Sequence, residues 1–272
     1  MGIRVGKTEK YINEKLESEG ALLFNVTDPL DYESPEAAVS SAVSSAENGS
    51  DIVLVGGSIG AQGELLDFVT KNIKDKVNVP VVLFPGNIAT ITRYADALYF
   101  MSLLNARNPY WITQAQMLSA PVLKSMNVEA LPVGYIVISP GGTVGWVGDA
   151  NLVPREKPKI AAALALAGEY LGNRFIITDV GSNPQAQGFT SVPFDMIKEV
   201  RHAISVPYII AGGINEESAI RNSIKSGADI IQIGTAIEQA KSAGSRSKFF
   251  SQIIKDEGRK RLKKGKSGFG DA

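Results

Sequence analysis

The sequence predicts an α/β protein, a (β/α)8 barrel of the TIM type, forming a single domain over residues 1–272. Three observations carry this. Eight short apolar runs alternate with helical stretches; strict alternation argues a parallel sheet, and eight units argue closure. The length of 272 residues is close to the roughly 250 typical of one such barrel. The last two runs, in VPYIIAGGINEESAIRNSIKSGADIIQIGTA (residues 206–236), both end in glycine, one helix apart. In such barrels the loops after strands seven and eight commonly hold a phosphate, and Gly212, Gly213 and Gly234 let backbone N–H groups approach an anion. Glycine after a strand is also ordinary turn chemistry; the repetition favours a phosphate cup.

Taken in order, residues 8–19 have Tyr11, Ile12 and Leu16 on one side of a short helix, with Gly20 as its stop. Strand one is 21–26, running into Thr27-Asp28-Pro29, and a helix follows over 35–46. Strand two, DIVLVGGS, ends at Gly56, Gly57 and Ser58; a helix covers 63–74. Strand three, VPVVLFPGN, ends at Asn87, with a short helix expected over 89–95. Strand four, ALYFMSLLN, closes on Asn105 before a long helix over 110–126. Strand five, PVGYIVISPGG, enters the loop GGTVGWVGDANLVPREKP, whose length suits a lid. An alanine-rich helix over 159–171 precedes strand six, RFIITDVGS, and a helix over 193–204 precedes strand seven. The last inter-strand helix spans 216–226. The tail starts helical near Ser247 and turns basic over 258–272, either as a solvated terminus or as a contact for anionic lipid.

Composition narrows the function. Lys plus Arg equals Asp plus Glu at 28 each, so no global field draws the chain to nucleic acid. There is no cysteine, which removes disulfides, thiolate metals and thiol nucleophiles. The single histidine, His202, falls at a helix end on the N-terminal face of the barrel, away from chemistry. The start lacks the apolar core of a signal peptide, and no apolar run reaches the roughly 20 residues of a membrane span. A soluble, cytoplasmic protein is expected. The apolar helices from Trp111 and Lys159 suggest a homo-oligomer.

Catalytic groups in this fold come from the C-terminal strand ends. Those ends offer Asp28, Ser58, Asn87, Asn105, Asp179, Ser182, Gly212–Gly213 and Gly234–Thr235; few Lys or Arg stand immediately at them, and Arg93, Arg107 and Arg155 lie further along. One phosphate can be held by backbone donors alone. A diphosphate calls for a metal, and Asp28 and Ser58, on adjacent strands, are hard oxygen ligands suited to Mg²⁺. The other reading of Asp28-Pro29 is turn chemistry. Asp179 is placed to accept a proton from a substrate hydroxyl; its alternative is to order the Gly181–Ser182 loop.

The motifs VTDP, VGGS, LFPGN, YFMSLLNARNPYWITQAQ, GYIVISPGGTVGWVGDA, ITDVGS, IIAGGI and IQIGTAIE together resemble the geranylgeranylglyceryl phosphate synthase family and its bacterial heptaprenylglyceryl relatives. The likeness runs from about Ala21 to Glu238. It implies a TIM barrel that joins geranylgeranyl diphosphate to the 3-hydroxyl of sn-glycerol 1-phosphate with Mg²⁺, the first ether bond of archaeal membrane lipid. Carried over by motif, Asp28 and Ser58 bind the metal. Ile177, Thr178, Asp179, Val180, Gly181, Ser182 and Asn183, then Gly212, Gly213, Gly234 and Thr235, bind glycerol phosphate. Two departures stand out. The family's usual strand-six pattern is Tyr-x-Glu, where this chain has Ile177 and Asp179; some members carry Lys two positions before the metal Asp, where this chain has Val26. Tyr99, Met101, Tyr110, Trp111, Ile112 and Trp146 are candidates for an apolar prenyl groove or for plain core. Other prenyl lengths, an isomerase or lyase on the same barrel, and a non-catalytic phosphate-binding barrel are the competing readings.

Overall fold

The computed structural model describes residues 5–267. Helix α1 (Lys7–Glu19) precedes the barrel and stops at Gly20. The strands are β1 (Leu22–Thr27), β2 (Ile52–Gly57), β3 (Val81–Pro85), β4 (Ala97–Leu103), β5 (Glu129–Val137), β6 (Phe175–Asp179), β7 (Tyr208–Ala211) and β8 (Ile230–Ile233). They close in sequence order, with β8 beside β1, and every pairing is parallel. The fold class expected from the alternation is the one formed.

Side chains alternate between two shells, as the period of a strand requires. Inside the barrel, Leu22, Phe24, Ile52, Leu54, Val133 and Ile209 pack together. Outside it, Leu23, Ile176, Ile210 and Ile231 meet the helices. Those helices are α2 (Pro35–Glu47), α3 (Gly63–Lys74), α4 (Gln114–Met126), α5 (Gly142–Val147), α6 (Pro158–Tyr170), α7 (Phe194–Ala203), α8 (Glu217–Ser226), α9 (Thr235–Glu238) and α10 (Ala243–Ser267). Local chemistry sets several boundaries. Ser34 accepts from Ala37 N at 3.1 Å and Pro35 fills the first turn of α2. The long helix expected over 110–126 is split: a 3-10 turn at Pro109–Trp111 comes first, nucleated by Asn108 accepting from Tyr110 N.

The helix expected over 89–95 does not form, and β3 passes to β4 through an irregular loop. Side chains there hold local turns in place of a helix: Asn87 Oδ1 accepts from Ala89 N at 2.7 Å, and Thr92 Oγ1 from Tyr94 N at 3.4 Å. Asp96 ties the loop's end to β3 by accepting from Val81 N at 2.8 Å. Thr90, Ile91 and Thr92 are also β-branched, which lowers helix propensity. The ring of helices is therefore open between α3 and α4. The segment expected as a lid, residues 141–158, carries α5 and is pinned by Asn105, which donates to Val137 O and Asn151 O and accepts from Val137 N.

At the N-terminal end of the barrel, Asp229 receives Arg201 from α7 and Arg261 from α10, each at 2.7 Å. Arg261 also donates to Ile224 O at 2.6 Å. The basic helix end is thus docked under the barrel; residues 268–272 of the tail lie outside the described ones. His202 is exposed near the end of α7. No helix among the described residues is long and apolar enough to cross a membrane.

Candidate active site

A cavity of about 560 Å³ opens at the C-terminal ends of the strands. Its wall includes Asp28, Ser58, Asp179, Gly181, Ser182, Asn183, Gly212, Gly213, Gly234 and Thr235. Ten positions singled out from sequence are thereby brought to one surface. Ile177, Thr178 and Val180 are fully buried and are not among the lining residues. Ile177 belongs to the inner core and Val180 to the outer. The Thr178 hydroxyl is engaged by Tyr208 OH at 2.7 Å. Asn87 lines the cavity; Asn105 serves as the clamp already described.

One end of the cavity is acidic. The loop after β1 brings Asp28, whose Oδ1 accepts from Leu30 N at 3.1 Å. Helix α9 brings Glu238, whose Oε1 accepts from Asp28 N at 3.1 Å. Burial chiefly raises Asp28 to about 6, opposed by the Leu30 N–H and assisted by Asp31. Burial also raises Glu238 to about 7, opposed by the Asp28 N–H and assisted by Asp31 and Asp28. Two carboxylates sharing a half-buried site repel one another until a cation or a proton intervenes. Gly57 makes room for them: a Cβ there would lie 2.0 Å from Asp28 Oδ2. Ser58 follows directly in the wall. No cluster of three His, Cys, Asp or Glu suited to a metal occurs among the described residues. The donor set is instead a carboxylate pair and a hydroxyl. It fits Mg²⁺, which takes few protein oxygens and completes its shell with water and phosphate.

The neighbouring region is built from backbone. Gly212 has φ +84°, and a Cβ on it would lie 2.6 Å from Gly181 O and 2.7 Å from Asp179 Oδ1. Only glycine lets the loops after β6 and β7 close against each other here. Gly234 and Thr235 open α9 beside them. Asp179 lies beside Gly212 in this second region. Its Oδ2 accepts from Tyr135 OH at 2.5 Å and its Oδ1 from Gly181 N at 2.6 Å. Burial pushes its carboxyl above the ordinary range, against the pull of those two donors. Burial, with Asp179 opposite, holds the Tyr135 phenol protonated. Register explains the meeting: Tyr135 on β5 pairs with Ile177 on β6, and Val137 with Asp179.

Much of the remaining wall is apolar and lies on the side of β3, β4 and α4. Both faces of β4 contribute. Tyr99 and Met101 come from the inner shell, Leu98 and Phe100 from the outer, joined by Ile88 and Ile91 of the irregular loop. Trp111 also lines it, whereas Tyr110, Ile112 and Trp146 do not. Sequence reasoning did not assign a role to Glu238, Tyr135 or Arg246. Glu238 ends the recognised motif IQIGTAIE, which was the one local signal for it.

Comparison with known proteins agrees with this geometry. Residues 19–253 match the model of the PcrB family. A protein of Pyrococcus horikoshii named geranylgeranylglyceryl phosphate synthase is 52% identical over 240 residues, covering 88% of this chain and 92% of that one. Its namesake from Thermococcus kodakarensis is 53% identical over 239 residues, again 88% and 92%. The crystal structure of (S)-3-O-geranylgeranylglyceryl phosphate synthase from Thermoplasma acidophilum, in complex with sn-glycerol-1-phosphate, superposes with a TM-score of 0.85. It is 30% identical and covers 93% of this chain and 100% of its own. With this degree of likeness over nearly its whole length, the chain belongs to the PcrB family, alongside the geranylgeranylglyceryl phosphate synthases.

Proposed function

We propose that this chain is a geranylgeranylglyceryl phosphate synthase. It transfers the geranylgeranyl group from its diphosphate to the 3-hydroxyl of sn-glycerol 1-phosphate, in the cytoplasm, as the first committed step of archaeal ether-lipid synthesis. The observation that carries this is the single cavity in which an acidic metal-type site, a glycine-lined anion site and an apolar exit meet, in a chain about half identical to proteins of that name.

Each region has a task. Asp28 and Ser58, with Glu238 beside them, would hold Mg²⁺ against the donor's diphosphate. When bound there, the ion would supply positive charge to stabilise the departing pyrophosphate. Gly181, Ser182, Asn183, Gly212, Gly213, Gly234 and Thr235 hold the acceptor's phosphate, chiefly through main-chain N–H groups. Asp179 receives the proton of the acceptor hydroxyl as that oxygen attacks the allylic carbon. The carbon–oxygen bond to diphosphate breaks, the ether bond forms, and the proton passes to the Asp179 carboxylate. Tyr135 and Gly181 N hold that carboxylate in place. The apolar channel past Leu98 and Phe100 takes the hydrocarbon and keeps water from the reacting carbon.

The exposed apolar side chains Met117 and Leu118 on α4, and Tyr170 and Leu171 at the end of α6, support self-association into a homo-oligomer. Attraction of the basic tail to anionic lipid is a separate proposal. Arg259, Lys260 and Arg261 pair with Glu19, Glu257 and Asp229 on the side opposite the cavity, so such contact would turn the mouth away from the bilayer.

Incubation with labelled geranylgeranyl diphosphate, sn-glycerol 1-phosphate and Mg²⁺ tests the assignment. Ether product is expected. No product with any divalent metal, while glycerol phosphate still binds, would leave a non-catalytic binding barrel. A donor series from farnesyl upward identifies the preferred chain length.

A further inference from the structure

The cavity is short of positive charge. Its wall holds the carboxyl groups of Asp28, Asp31, Asp179 and Glu238, yet the ligands proposed for it are all anions. Among the described residues, one cationic side chain lines it: Arg246, from the first turns of α10. It lies beyond α9, on a helix and not at a strand end, where sequence reasoning sought basic residues.

Three features make Arg246 more than a rim charge. Its Nη2 donates to Asn215 O at 2.6 Å, and Asn215 lies two residues past Gly213 in the loop that follows β7. Its guanidinium lies over the ring of fully buried Phe250, at 4.4 Å from the centroid, with Phe249 at 5.8 Å. No ion pair is formed with a carboxylate: among the described residues, the contacts of Arg246 are that carbonyl and those two rings. A guanidinium has five donors in a rigid fork, stays charged at any working pH, and matches phosphate geometry. Stacked and tied by one bond, it loses little freedom when the others bind.

We infer that Arg246 is a binding residue for the acceptor's phosphate, closing the amide cup of Gly212, Gly213, Gly234 and Thr235 with one full positive charge. Main-chain N–H groups offer only partial charge. Arg246 supplies the charge that selects a phosphorylated acceptor over a neutral polyol. This rests on the reading of that cup as the glycerol phosphate site.

The test uses the full chain without donor or metal. Calorimetric titration with sn-glycerol 1-phosphate is expected to show Arg246→Gln binding about 10-fold or more weakly than wild type. The salt dependence of its affinity should also flatten, because one charge has left the site. Arg246→Lys, which keeps the charge but loses the fork and the stacking, should fall between them. Equal affinity and equal salt dependence in Arg246→Gln would overturn the inference. A loosened loop alone would weaken binding without changing its salt dependence, and that result also counts against it. A second measurement needs no variant. Phenylglyoxal modification of Arg246 in the wild-type chain, followed by peptide mass spectrometry, should be slowed by glycerol phosphate; no protection rejects the role. Absence of ether product from a wild-type chain that still shows this Arg246-dependent binding would count against prenyl transfer and leave Arg246 standing.

Discussion

The two regions proposed to handle anions differ in the groups they offer. Around Asp28, the protein offers carboxylates that repel a phosphate until a cation joins them. Around Gly212, the proposed cradle consists of main-chain N–H groups. In these proposed roles the first region is conditional on metal and the second is preformed. The difference teaches which ligand each suits. A diphosphate that must leave needs charge able to follow it, whereas a phosphate that only anchors needs a fixed cradle.

The sharpest way to break this contrast is Asp28→Asn. It should lower kcat/KM by about a thousandfold, an order of magnitude typical for loss of a leading electrostatic group. Glycerol phosphate affinity, measured by calorimetry without donor, should stay within about threefold of wild type, since removing this carboxylate leaves the cradle's N–H groups in place. Equal loss of both would merge the two regions into one.

Next in size is Gly212→Ala. Its φ of +84° and the 2.6 Å approach to Gly181 O leave no room for a methyl group. Acceptor affinity should drop by about 10- to 100-fold through displacement of the loop, with a stability cost of about 1–3 kcal/mol. The Mg²⁺ response should survive. Unchanged acceptor binding would show that the phosphate sits elsewhere.

Tyr135→Phe should act more mildly, lowering kcat by about tenfold as Asp179 loses a charge-assisted hydrogen bond. The pH profile supplies the diagnostic. In its proposed role Asp179 works ionised, so activity should fall as pH drops through its raised pKa. The Tyr135 hydroxyl pulls that pKa down; without it the acid limb should move to higher pH. A limb that stays in place would mean that Tyr135 only fills space. The smallest expected effect is on melting: Mg²⁺ alone should raise the wild-type midpoint by a few degrees and leave Asp28→Asn unmoved, as linkage to the native state requires. A shift in both would place the ion elsewhere.

The same contrast explains what could be read from the chain before its fold. The place of Gly212, Gly213 and Gly234 in the cavity wall was legible because its signal is local: an apolar run, then glycine, twice. Asp28 was legible as a strand-end carboxylate. Its partner was not, because Glu238 is 210 residues away and meets it only when β8 closes beside β1. Tyr135 was invisible as a partner of Asp179 because their contact depends on the register between β5 and β6. The helix wrongly expected over 89–95 shows the opposite failure. The alternation of strand and helix was applied where Asn87 and Thr92 hold local turns and the β-branched run Thr90-Ile91-Thr92 disfavours a helix.

That irregular connection has a further consequence. A helix in its place would tie every apolar position to a turn of 3.6 residues and to its neighbours in the ring. The loop frees Ile88 and Ile91 from that periodicity, and loops tolerate substitution and insertion better than packed helices. If the proposed channel holds the hydrocarbon, its berth can be lengthened or shortened by changes that never touch the ionisable groups. Descendants of such a scaffold would then be free to drift in the tail they accept while the head-group chemistry stays fixed.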